Sequence, residues 1–168
     1  MTREENTNYV AYLIELSQQG RKNAFFDLCE IDQKNIFSLV YCILGDYELA
    51  QQITLDVYFH VWDSIKSFSL NRSFLQWVKD LAIRHAIFEL NRRGLNSFHK
   101  KVEKTAISEI HQLDRLIISL PDEERIIMVL HDMEGLKYSE VKNYLNNLSV
   151  DEIQTKLINA REYLVENL

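Results

Sequence analysis

Turn formers are nearly missing from this chain: four glycines and one proline occur in 168 residues. Tight turns and hairpins draw on those two residue types. A β-sandwich or barrel, with a turn after every short strand, is not expected on that ground, and the expected fold class is all-α.

The few glycines fall where apolar periodicity stops. A first helix is expected over about residues 8–19, with Thr7 as N-cap and Gly20 as its stop. A second covers about 22–44, with a break near 30–33 left open, and ends at Gly45. Asp46 caps a third helix to about Lys66, in which Leu49, Ile53, Val57, Val61 and Ile65 recur every fourth residue and form a buried stripe. Ser73-Phe-Leu-Gln76 has the form of a capping box opening a fourth helix that ends at Gly94. Its apolar face is expected to hold Phe74, Trp77, Val78, Leu81, Ala82 and His85 or Phe88. Residues 94–104 (GLNSFHKKVEK) lack periodicity and are expected to link two small helical domains, 1–93 and 105–168. In the second domain, helices are expected at about 106–118, 122–133 and 138–145. A last helix opens at the capping box Ser149-Val-Asp-Glu152 and runs to about Val165. The pair joined through 146–149 has a helix-turn-helix layout.

With 46% hydrophobic and 26% charged residues, the chain has the composition of a folded domain rather than of a disordered one. No stretch approaches the roughly 18 apolar residues that span a bilayer, so no membrane insertion is expected. The opening residues MTREEN lack the apolar core of a signal peptide, and a cytoplasmic location is expected. Cys29 and Cys42 stand in apolar-periodic sequence with no Cys-x-x-Cys pair and read as buried thiols. The five histidines are scattered, so no metal site is expected. With no nucleophile–base pair and no glycine-rich phosphate loop, neither an enzyme nor a cofactor is expected.

Charge is unevenly spread. Residues 1–71 hold 5 basic and 10 acidic groups, residues 72–104 hold 8 and 3, and residues 105–168 hold 6 and 12. A basic segment between acidic flanks suits a polyanion while limiting unspecific adhesion. The competing reading is a solvated helix face running into a basic linker.

The stretches AFFDLCEIDQKNIFSLVYCILGDYELA, VYFHVW and SFLQWVKDLAIRHAIFELNRR resemble region 2 of the sigma-70 type transcription initiation factors of the extracytoplasmic-function (ECF) group. LPDEERIIMVLHDMEGLKYSEV and NAREYL resemble region 4 of the same family, in the same order. The resemblance implies two helical domains, one like sigma region 2 and one like the region 4 helix-turn-helix domain. It implies a factor that binds core RNA polymerase, captures melted minus-10 promoter DNA through region 2 and reads the minus-35 duplex through region 4. The side chains expected at DNA are then Arg72, Lys79, Arg84, Arg92, Arg93, Gln154, Thr155, Lys156 and Asn159, with Phe68, Phe74 or Trp77 able to stack an unpaired base or to pack in the core. Those expected at polymerase are Gln52, Leu55, Asp56 and Phe59. An anti-sigma factor is a further partner the resemblance admits.

Several contact positions depart from the family pattern. Gln52 and Leu55 stand where an Asp and a Gln are usual, and Arg84 and Phe88 where an Asn and an Asp are common. The last helix opens Asp151-Glu152 in place of Thr-Val-Lys-Ser-Arg, carries Asn159 where an arginine is frequent, and follows Lys142 in place of alanine. Acidic residues there occupy the amide end that otherwise attracts phosphate, and they also stabilise the first turn. Two readings stay open: an initiation factor with altered promoter contacts, or a sigma-like regulator that binds polymerase or an anti-sigma partner without minus-35 recognition.

Overall fold

In the computed structural model, residues 3–93 and 112–168 are described. The expected linker 94–104 and the expected helical start over 106–111 lie outside them. Among the described residues every regular element is helical: α1 (Arg3–Gln18), α2 (Lys22–Leu44), α3 (Tyr47–Ser64) with a 3₁₀ turn (Ile65–Ser67), α4 (Phe74–Arg93), α5 (Gln112–Ser119), α6 (Asp122–Met128) running into a π turn (Val129–Met133), α7 (Tyr138–Lys142) and α8 (Val150–Asn167).

The caps explain most boundaries. Asp46 accepts from the Leu49 N–H at 2.9 Å, and in the first turn of α8 the Ser149 hydroxyl oxygen accepts from the Glu152 N–H while the Glu152 carboxylate accepts from the Ser149 N–H. Gly45 ends α2 with φ of 69°, a left-handed conformation that costs other residues. A Cβ there would also stand 3.0 Å from Ile118 Cγ2. Gly45→Ala is therefore expected to destabilise the protein by about 1–2 kcal/mol in urea unfolding, and a neutral substitution would contradict this account of the turn.

Three expectations need correction. Helix α1 begins at Arg3, so Thr7 lies within it and is not its cap. Helix α2 is continuous through 30–33, because nothing in Glu-Ile-Asp-Gln breaks a helix and Ile36, Leu39 and Val40 continue its buried face. The buried side of α4 turns toward Ile83, Ala86, Ile87 and Leu90, leaving His85 half-buried and Phe88 68% exposed. Helix α4 packs against both α2 and α3, which widens its covered arc beyond a single stripe.

Helices α1–α4 form one bundle, with the α3 stripe of Leu49, Ile53, Val57, Val61 and Ile65 wholly inside. The C-terminal unit α5–α8 has its own core of Ile117, Ile126, Ile127, Leu130, Val141, Ile153 and Leu157. Lys142 points outward while Val141 and Leu145 fill the helix-turn-helix angle, so a lysine at that position does not disturb the packing. The C-terminal unit rests against the end of α2. Cys42 is buried and Cys29 half-buried, and burial pushes the Cys29 thiol up to about 12.

Candidate functional site

On α3, one side of the helix is spent on the core and the other stands free. Gln52, Leu55, Asp56 and Phe59 share that outer side at helical spacing, all exposed, with Leu55 57% and Phe59 60% accessible. The structure thus gathers the four residues expected at polymerase into one surface. Two large apolar groups together on an exposed helix face suit a protein interface.

The DNA candidates on and before α4 are placed differently from one another. Arg72 is exposed and lies over the rings of Phe68 and Trp77, 5.3 Å from each centroid. Those two rings stack on one another at 4.7 Å, and Phe74 meets both edge-on. All three aromatics are buried, so the base-stacking role entertained for them is withdrawn in favour of core packing. Arg92 and Arg93 both bond the Glu89 carboxylate, which is nearly buried and which they hold down to about 2. The Arg92 side chain nonetheless remains 61% exposed.

Arg84 bonds Asp80 one turn back, at 3.1 Å, and its guanidinium covers the ring of Tyr144 from the C-terminal unit. The Tyr144 hydroxyl donates to the same Asp80 carboxylate at 2.6 Å. Lys79 points at Glu134 of the C-terminal unit, Nζ to Oε2 at 2.5 Å, with both side chains largely covered. Nothing local in the sequence signals these partners, which lie 55 to 64 residues away. Phe88, which the resemblance places with Arg84 at a contact position and which the apolar periodicity offered for the buried face, stands exposed. It stands four residues after Arg84 and four before Arg92, so an exposed ring sits between two cations on one helix face.

The last helix presents Asp151, Gln154, Thr155, Ile158 and Asn159 outward. Glu152 is folded back into its capping box, and the Thr155 hydroxyl donates to the Asp151 carbonyl at 2.9 Å. Lys156 is turned away from that face and lies 3.0 Å from Glu123 and 3.6 Å from Glu124, which raise its pKa. Of the four α8 residues expected at DNA, Gln154, Thr155 and Asn159 share the exposed side and Lys156 does not.

The Leu-Pro-Asp-Glu-Glu-Arg segment is structural. Pro121 precedes the first residue of α6, and Asp122 accepts from Arg125 at 2.5 Å. Arg125 is buried and donates also to the carbonyls of Leu120 at 2.8 Å, Ile118 at 3.3 Å and, across the units, Ile43 at 2.9 Å. Among the described residues no group of three or more His, Cys, Asp or Glu side chains is placed to hold a metal ion. No described helix is long and apolar enough to cross a membrane.

No family model matches the chain. It is 24% identical to the ECF RNA polymerase sigma factor SigW of Bacillus subtilis (strain 168), over 92% of this chain and 94% of that protein. It is 23% identical to the RNA polymerase sigma-H factor of Pseudomonas aeruginosa (strain PAO1), over 89% of each. Among solved structures, CnrH in complex with the cytosolic domain of CnrY matches with a TM-score of 0.62 at 18% identity, covering 94% of this chain and 96% of that one. The sigma factor RpoE of Bartonella quintana, solved with the anti-sigma factor NepR, matches with a TM-score of 0.60 at 13% identity, covering 84% and 94%. The fold is shared with these two structures. The chain is thus similar over nearly its whole length to two RNA polymerase sigma factors, one of them of the ECF group.

Proposed function

We propose that this protein is a transcription initiation factor that binds core RNA polymerase through the outer face of α3 and engages melted promoter DNA along α4. The protein is not an enzyme. Its domains are taken as 1–93 and 105–168 with a linker between, and its location as cytoplasmic. The observation that carries the DNA assignment is the alternation Arg84, Phe88, Arg92 on one exposed face. Cations neutralise phosphates, and an exposed ring between them stacks an unpaired base, worth about 1–3 kcal/mol.

Duplex reading by α8 is correspondingly weaker in this proposal. Its outward side chains Gln154, Thr155 and Asn159 can bond base edges, but Asp151 repels phosphate and Lys156 is held by Glu123 and Glu124. This arrangement favours an initiation factor whose selectivity rests mainly on the melted element. An anti-sigma partner is carried as a proposal from the complexes in which CnrH and RpoE were solved.

The test is binding of the reconstituted holoenzyme to a forked promoter fragment with a single-stranded tail. Phe88→Ala is expected to weaken binding by about 5- to 100-fold with little change in salt dependence, while Arg92→Ala lowers the salt slope by about one. Unchanged binding by both variants would overturn the assignment. Strong footprint protection of the minus-35 duplex, abolished by changes at Gln154 and Thr155, would contradict the subordinate role of α8.

A further inference from the structure

The turn that ends α2 brings three aromatic rings together at the head of α3. Gly45 reverses the chain in its left-handed conformation and Asp46 caps the next helix, so Tyr47 opens α3 against the side of α2. Phe37 and Tyr41, one turn apart on α2, lie parallel within 4° with their centroids 6.1 Å apart. Tyr47 stands across both at 72° and 73°, with centroids 5.3 and 6.2 Å away. Two parallel rings and a third at about a right angle make an aromatic corner. Tyr47 is 49% exposed and the other two rings are half-buried, so solvent reaches the corner.

We propose that the corner of Phe37, Tyr41 and Tyr47 receives an arginine side chain of core RNA polymerase and forms one end of the polymerase contact on α3. The inference rests on the assignment of α3 to polymerase made above. It adds a receptor for a cation, which the apolar surface at Leu55 and Phe59 does not supply.

Ring faces attract cations, and arginine, more weakly hydrated than lysine, gives up less water in stacking on them. The surroundings carry the matching charge. Helix α3 holds Glu48, Asp56 and Asp63 and no lysine or arginine, and Asp46 stands at its cap. Burial, with Cys42, Asp114 and Asp46 nearby, pushes the Tyr41 hydroxyl up, so two carboxylates lie within electrostatic reach of that ring. A phosphate would be repelled there, which sets the corner apart from the surface around Phe88. Elsewhere the chain covers such rings itself: Arg72 lies over Phe68 and Trp77, and Arg84 over Tyr144. No described arginine or lysine lies over Phe37, Tyr41 or Tyr47. The corner is also continuous with the polymerase face, since Tyr47, Gln51, Leu55 and Phe59 recur every fourth residue and are all exposed. A second copy of the chain is a poor occupant, because it would bring like carboxylates together.

Binding of the full chain to immobilised core RNA polymerase, followed by surface plasmon resonance, tests the corner at Tyr47. Tyr47→Leu keeps an apolar side chain without a ring face and is expected to weaken binding by about 5- to 30-fold, while Tyr47→Phe stays within about twofold of the parent. Phenylalanines carrying one, two and three fluorines at position 47 are expected to weaken binding stepwise. Each fluorine draws negative charge from the ring face and leaves its size nearly unchanged, so the series reads a cation contact and still decides if Tyr47→Leu folds poorly. Parent-like binding by a folded Tyr47→Leu, or equal binding along the fluorine series, would overturn the proposal. So would a dimer of the free chain that Tyr47→Leu abolishes, which would give the corner to a second copy. Failure of the underlying reading shows differently: Leu55→Asp with Phe59→Asp then leaves binding intact, or the parent does not bind polymerase at all and the proposal falls with it.

Discussion

Replacing Arg125 by methionine is expected to cost about 3–5 kcal/mol of folding stability, the range for removing one partner of a buried ion pair. The Arg125 side chain is 5% exposed and that of the paired Asp122 10%. Methionine keeps most of the volume, so the loss measures the polar contacts rather than a cavity. It takes the cation from Asp122 and a donor from each of the carbonyls of Ile43, Ile118 and Leu120. Each buried acceptor left without its donor carries a desolvation cost of its own. Urea unfolding followed by circular dichroism checks the prediction, and a change below about 1 kcal/mol would contradict the role given to this residue.

The second large effect is on partner binding, with stability left intact. Leu55→Asp combined with Phe59→Asp is expected to reduce affinity for core RNA polymerase by more than about 100-fold. Burying a leucine or phenylalanine fully contributes about 1.5–3 kcal/mol each, and tenfold in affinity is about 1.4 kcal/mol. Both side chains are more than half exposed in the free chain, so the unfolding midpoint should stay within the small shifts of surface substitutions. Native-like stability with lost co-purification is the expected pair of results. Retained co-purification would move the polymerase contact away from α3.

Much of this fold was legible because its signals are local. The fourfold recurrence from Leu49 to Ile65, the stops at Gly20 and Gly45, and the caps at Asp46 and Ser149 each act within a few residues of themselves. The α3 outer face followed from the same periodicity, since fixing Ile53 and Val57 inward turns Gln52, Leu55, Asp56 and Phe59 outward. Helix α4 was read less well. Its contacts with two neighbouring helices bury Ile83 and Ile87 and leave Phe88 in solvent, which one apolar stripe could not foretell. Least legible were the partners of the candidate cations. Lys79 and Glu134 are separated by 55 residues and Arg125 and Ile43 by 82, distances over which no periodicity or cap carries information. Basic residues counted as available for DNA thus proved to be shared with carboxylates and a tyrosine of the same chain.

The most direct test of the account is run-off transcription from fragmented genomic DNA by purified core RNA polymerase supplemented with this protein. Discrete transcripts that depend on the protein, and that weaken with Phe88→Ala, are the predicted result. A protein that co-purifies with polymerase yet yields no discrete transcript would contradict it and leave a sigma-like regulator in its place.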